Sequence, residues 1–296
     1  MNIYGQISSN KRKTVVVMAM FVAVVSLLGY FIGEIYAGQG AGVPVMISAV
    51  FFSSISAVSS YFLSDKIVLS ISGAKKVGRD EAPKLYAILE NLCIGVGIKK
   101  VPDLYIINDS ATNAFATGRD PDHAVVAVTS GLIDKLDKRE IEGVLGHELS
   151  HIKNYDMLLM TIVVVLVGSV TLIANIMLRG GFRGSRKSAG GIIILIGFLL
   201  AVLSPLIAKL IQLAVSRNRE YLADASSALL TRDPEGLALA LDKISQDREV
   251  LEIANQATEH LYIENPLRKN VNSGIFANLF NTHPPVEERI RRLRDM

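Results

Sequence analysis

Four stretches of the chain carry no charged residue: 14–33, 41–64, 157–178 and 190–208. Each has roughly the 20 residues that a helix needs to cross the hydrocarbon core of a bilayer. They predict two transmembrane hairpins. Lys11, Arg12 and Lys13 precede the first stretch, and Lys66, Lys75, Lys76 and Arg79 follow the second. The loop between them, 34–40, holds no lysine or arginine. By the positive-inside rule, both flanks of the first hairpin are therefore cytoplasmic. The loop 179–191 runs against that rule, because Arg179, Arg183, Arg186 and Lys187 would lie outside. A full crossing by the second hairpin is still the expectation.

Between and beyond the apolar stretches the pattern changes. Residues 81–96 place Leu85, Ile88, Leu89, Leu92 and Val96 at helical spacing, with Pro83 tolerated near the start. Three strand-like runs follow, 104–107, 113–117 and 124–129, with a turn at 118–122. Residues 137–156 return to helical spacing, with Ile141, Val144, Leu145, Leu149 and Ile152 as the core stripe. After the second hairpin, 209–230 reads as an amphipathic helix leaving the membrane. The remainder to 296 is mostly helical, with Asp233-Pro234 and His283-Pro284-Pro285 marking starts. The expected organisation is a basic tail and hairpin at 1–64, a first soluble part at 65–156, a second hairpin at 157–208 and a second soluble part at 209–296. The expected class is an α+β membrane protein with four transmembrane helices and a small β-sheet.

Composition agrees with a membrane protein. Half of the 296 residues are hydrophobic, and the mean hydropathy is +0.37. The first stretch is longer than the apolar core of a signal peptide, and a second follows closely, so it reads as a span. The formal net charge of +3 is too small to argue for nucleic acid. The single cysteine, Cys93, excludes an intramolecular disulfide and reads as a small core residue.

The helix at 137–156 carries His147-Glu148-Leu149-Ser150-His151, the pattern H-E-x-x-H. Residues four apart share a helix face, so the two imidazoles form a pair of nitrogen ligands for Zn²⁺. Glu148 then stands beside the metal as a candidate general base. A catalytic zinc site needs a third protein ligand. The extension H-E-x-x-H-x-x-G-x-x-H fails, because Asn154 and Met157 stand where glycine and histidine are required. The best alternative is Glu220, with Asp224 on the same helix face. One carboxylate could bind the metal while the other holds a histidine ring through its second nitrogen. In isolation, Arg217, Arg219, Glu220 and Asp224 read as a solvated charged face. The second hairpin changes that reading, since it leaves and returns on one side and so carries Glu220 back toward His147.

The chain resembles the HtpX-type membrane zinc metalloproteases, in the peptidase family that also contains the CAAX prenyl proteases. The matching residues are Glu81-Ala82-Pro83-Lys84-Leu85, Asn113-Ala114-Phe115-Ala116-Thr117-Gly118 and Val128-Thr129-Ser130-Gly131-Leu132. They continue through 146–153 with Asn154 and Asp156, then 219–224, and Thr282-His283-Pro284-Pro285 with Arg289-Ile290. Tyr155 departs from the arginine common in the family. The resemblance implies a zincin-like (gluzincin) fold in which His147, His151 and Glu220 bind one Zn²⁺ and Glu148 is the catalytic base. Asp224 is then a partner of a ligand. The resemblance also places Asn113 and Ala114 near the metal, where an edge strand could hold a substrate backbone. His283, Arg217 and Arg219 become candidates for stabilising the transition state or supporting the ligands. His123 and His260 lack a partner at ligand spacing and are read as structural or exposed.

The expected activity is hydrolysis of peptide bonds, in misfolded or damaged membrane proteins, by a multi-pass protein of the cell membrane whose site faces the cytoplasm. The expected partners are the bilayer and polypeptides, not nucleic acid. A prenyl protease would surround its site with more spans. A non-catalytic zinc-binding adaptor would close the fourth ligand position. A transporter would place ionisable residues within its spans.

Overall fold

The computed structural model describes residues 3–34, 38–166, 217–247, 249, 261–263 and 284–296. Two long helices, α1 (Ile3–Ile32) and α2 (Gly42–Ile71), pack together as a hairpin. The soluble part follows: β1 (Lys75–Lys76), α3 (Pro83–Val96), β2 (Asp103–Ile107), β3 (Ala114–Gly118), β4 (Ala124–Thr129), α4 (Ser130–Lys135) and α5 (Lys138–Lys153). α6 runs over Asp156–Leu166. α7 (Arg217–Thr231), α8 (Pro234–Gln246) and α9 (Val286–Arg294) complete the described elements.

The sheet has the order β1-β2-β4-β3 and is mixed: β2 and β4 are parallel, and the other two pairs are antiparallel. Its central strand, β4, is buried at every position. Ala124, Val126 and Val128 face the core formed with α3, α5 and α8, while Val125 and Ala127 face α2 and α6. Burial on both faces explains why β4 reads as a continuous apolar run rather than an alternation. α3 buries the predicted stripe Leu85, Ile88, Leu89 and Leu92 against α5. Cys93 lies in that core at 1 % exposure, and burial pushes its thiol pKa up to about 11, so it is a packing residue.

The membrane-facing elements depart from expectation at two points. The expected basic tail is helical from Ile3, so α1 continues well before the apolar stretch. The expected helix 137–156 ends at Lys153. Tyr155 adopts a left-handed φ of 58°, and α6 leaves at 82° to α5. A non-glycine residue there is sterically costly, which marks a corner fixed by its surroundings. Two helices, Ile7–Ile32 and Gly42–Ile71, are long and apolar enough to cross a bilayer, or up to three if the bent α5–α6 pair counts as one. The expected third span starts within α6, whose described residues from Met157 to Leu166 are all buried. The rest of that span, the fourth span and the basic loop between them lie outside the described residues.

α5 is started by a capping box. Asp137 accepts from the Glu140 amide at 3.0 Å, and Glu140 accepts from the Asp137 amide at 2.7 Å. One face of α5 carries the apolar stripe, while Gly143 and Gly146 mark another. A Cβ on Gly143 would stand 2.8 Å from the Leu237 backbone, and one on Gly146 would stand 2.7 Å from Ser227 Oγ. Ser227 Oγ donates to the Gly143 carbonyl at 2.6 Å. This close approach sets α7 against α5, and with it Glu220 and Asp224. Gly143→Val is expected to cost about 1–3 kcal/mol by overpacking, read as a lowered thermal unfolding midpoint. Gly5→Ala, where a Cβ meets nothing within 4 Å, should cause no such loss.

Candidate metal centre

Helical spacing does for His147 and His151 what the pattern predicts. Their rings stack edge-on with centroids 4.7 Å apart, and their Nε2 atoms are 3.1 Å apart. Glu220, on the first turn of α7, brings Oε1 to 3.4 Å from His151 Nε2 and Oε2 to 3.6 Å from His147 Nε2. Donors bound at about 2.0–2.2 Å around a tetrahedral ion lie about 3.3 Å from one another. The three donors match that spacing and are all buried.

The second ring nitrogens are also held. His147 Nδ1 is 2.9 Å from Asp224 Oδ1, and His151 Nδ1 is 3.3 Å from Asp156 Oδ2. A carboxylate at Nδ1 keeps the proton there and turns the Nε2 lone pair inward. Two inward lone pairs at 3.1 Å call for a cation between them. Burial opposes a charged His147 ring, yet its bonds to Asp224 and Glu220 outweigh that and lift its pKa to about 9. A proton thus finds the same field that a metal ion would.

Arg289 completes the cluster. It is fully buried, and it clamps Asp224 from Nε to Oδ2 at 2.8 Å and from Nη2 to Oδ1 at 2.7 Å. Its Nη1 donates to the Ile263 carbonyl at 2.9 Å and lies 3.8 Å from Glu220 Oε2. Burial works against a charged Asp224, but Arg289, aided by His147, holds the carboxyl below its usual range. Glu148, Asp156, Glu220 and Asp224 are buried carboxylates, while Arg289 is buried and Arg219 largely so. Among the described residues, carboxylates thus outnumber guanidinium groups here, a field that favours a bound cation.

Glu148 is buried beside the two rings and accepts from the Ala116 amide on β3. Burial pushes its carboxyl above the ordinary range, against the pull of His147 and His151. That moves it toward the range of a general base working near neutrality.

The structure thus gathers His147, Glu148, His151, Glu220 and Asp224 at one place. Ala114 opens β3, an edge strand of the sheet among the described residues, and Asn113 immediately precedes it. Asn113 is buried, and its Oδ1 accepts from the Ala114 amide at 3.0 Å. The Ala114 carbonyl accepts from the Ile263 amide at 3.0 Å, while Tyr262 packs edge-on against Phe115. Arg219 reaches Asp156 Oδ1 at 3.5 Å, and Arg217 is exposed at the start of α7. His123 is exposed in a turn and pairs with Asp120 at 2.7 Å. His260 and His283 lie outside the described residues.

Sequence reasoning missed the roles of Asp156 and Arg289. Arg289 did leave a signal, since it occupies the buried stripe of α9 between Val286 and Leu293. A lone arginine on an apolar stripe announces a buried anion. Asp156 left only its place in the family resemblance and no hint of its role, because its contact with His151 depends on the corner at Tyr155.

Comparison with known proteins adds to this geometry. The chain is 43 % identical over 295 residues to a protease HtpX homolog of Dictyoglomus thermophilum, covering 99 % of this chain and 94 % of that protein. It is 43 % identical over 297 residues to a protease HtpX homolog of Tropheryma whipplei, covering 99 % and 98 %. With a protease HtpX homolog of Streptococcus pneumoniae it shares 41 % identity over 305 residues, covering 99 % and 100 %. Among solved structures it resembles that of S. mikatae Ste24p, with a TM-score of 0.50 at 18 % identity, covering 98 % of this chain and 66 % of that one. That likeness shows the fold alone. The profile of peptidase family M48 matches residues 79–296, and the chain belongs to that family.

Proposed function

We propose that this metalloprotease of the membrane hydrolyses peptide bonds at a single Zn²⁺ held by His147, His151 and Glu220. The observation that carries the proposal is the convergence of three buried donors at tetrahedral spacing, with both second ring nitrogens bound to carboxylates. Two nitrogens and one carboxylate suit zinc and leave a fourth position for water. When bound, such an ion supplies Lewis acidity to a water molecule and to the scissile carbonyl.

The remaining steps fall to the chain. Glu148 takes the proton of the attacking water and passes it to the leaving nitrogen. Asp224 and Asp156 hold the two rings in the required tautomer. A substrate backbone would pair along the edge of β3. To reach the Ala114 carbonyl it must displace Ile263, and Asn113 would act indirectly by holding the Ala114 amide. Arg219 would support the site through Asp156. His283 and Arg217 remain candidates for stabilising the oxyanion, as their residue types allow.

Orientation follows from the same contacts. The metal cluster touches the basic end of α1 through Asn10 and Asp156, and the positive-inside rule favours the cytoplasm for that end. We therefore assign the site to the cytoplasmic face of a multi-pass cell-membrane protein. Misfolded or damaged membrane proteins are the substrate class that such a placement favours.

Glu148→Gln should retain zinc and lose at least a hundredfold in cleavage of a model membrane protein. Unchanged cleavage by that variant would exclude Glu148 as the base. Glu220→Ala should purify with little metal, as read by elemental analysis, and full occupancy there would remove Glu220 from the ligand set. Arg289→Met leaves Asp224 buried without its guanidinium and is expected to cost about 3–5 kcal/mol. Thermal unfolding of the purified chain reads that loss.

A further inference from the structure

An amide side chain on a membrane helix is expensive unless all its polar atoms find partners. Asn10 stands on α1 immediately before Lys11, Arg12 and Lys13, yet it is only 3 % exposed. Its Nδ2 donates to Asp156 Oδ1 at 2.7 Å and to the Asn154 carbonyl at 2.9 Å. Its Oδ1 accepts from Arg219 Nη1 at 3.4 Å. Both donor positions of the amide and its acceptor are engaged, across more than 140 residues of sequence. The contacts converge on the corner between α5 and α6, where Tyr155 is left-handed and Lys11 Nζ sits 4.1 Å above its ring.

The other oxygen of Asp156 faces His151 Nδ1. A continuous line of hydrogen bonds therefore runs from the first membrane helix, through one carboxylate, to a ring of the metal cluster. Without the amide, Asp156 would keep Arg219 and His151 as partners but lose its shortest contact, and with it the constraint on its orientation.

We propose that Asn10 is a positioning residue for the metal site, acting through Asp156 on the His151 ring. The seating of α1 against the α5–α6 corner then sets how tightly the metal is held. This rests on the reading of His151 as a ligand.

The test measures Zn²⁺ affinity of the full chain in detergent micelles, by competition with a chromophoric chelator, together with the visible spectrum of the Co²⁺-loaded form. Replacing a direct carboxylate partner of a ligating histidine weakens metal binding about 10–100-fold, and Asp156→Ala should fall in that range. Asn10→Leu, nearly isosteric and at home in a membrane helix, should weaken it about 5–10-fold, below the direct partner's effect. It should also shift the Co²⁺ bands. The double variant should bind no more weakly than Asp156→Ala alone.

Thr14→Ala serves as the control for helix seating. Thr14 is 2 % exposed one turn further along α1, and among the described residues its hydroxyl bonds the Asn10 carbonyl alone, at 2.9 Å; its replacement should leave affinity and spectrum unchanged. The proposal is overturned by unchanged affinity in Asn10→Leu. It is equally overturned by a loss that recurs in full on the Asp156→Ala background, or by an equal loss in Thr14→Ala. If Asn10→Leu aggregates, Asn10→Ala is read against the same outcomes. Parental affinity in His151→Ala would instead refute the ligand assignment, which separates the two failures.

Discussion

The buried carboxylate of Asp224 is shared between an imidazole and a guanidinium, and the geometry of the metal cluster depends on that sharing. Asp224 comes from α7, His147 from α5 and Arg289 from α9. None of these charged groups could be buried alone, because desolvating an ion costs several kcal/mol that only a well-placed partner offsets. Each therefore requires the other two elements to be docked before its own burial is tolerable. Arg289 extends the dependence to Ile263, whose carbonyl it also satisfies. Ile263 in turn bonds Ala114 on the strand beside Glu148. A single guanidinium thus ties the ligand cluster to the edge of the sheet.

Packing serves the same end by a different route. The glycines of α5 let α7 and α8 approach at backbone distance, which the short reach of Glu220 and Asp224 demands. The sheet is covered on both faces, by helices of the soluble part on one and by α2 and α6 on the other. Soluble and membrane parts consequently have no clean boundary. The ligand cluster lies where they meet, and residues from α1, α6 and α7 all reach it.

Much of this was legible in the chain because it is periodic or local. The stripe from Ile141 to Ile152 predicts α5, and the i,i+4 spacing of His147 and His151 predicts a shared ligand face. Glu220 with Asp224 follows from the same rule on a later helix. β4 was readable over its whole length and β2 and β3 to within a residue at each end, since short apolar runs between turn residues leave few alternatives. What was not legible is what depends on angles between elements. Asp156 meets His151 only because Tyr155 turns the chain by a conformation that its residue type does not advertise. The segment ahead of the first span read only as a basic tail, yet Asn10 there finds a partner 146 residues away. The backbone bond between Ile263 and Ala114 has no side-chain signature at all.

The 82° corner between α5 and α6 has a geometric consequence. α6 packs against α1 and α2, so on the membrane placement proposed above α5, nearly at a right angle to it, would lie along the bilayer surface. His151 sits two residues before the end of α5, and a helix advances about 1.5 Å per residue, so the cluster stays within a few ångströms of the corner's height. A site fixed at one height works as a depth gauge. On the reading proposed above, it selects a peptide bond by elevation above the lipid rather than by flanking residues. Substrates of unrelated sequence would then be cut at a common distance from the membrane.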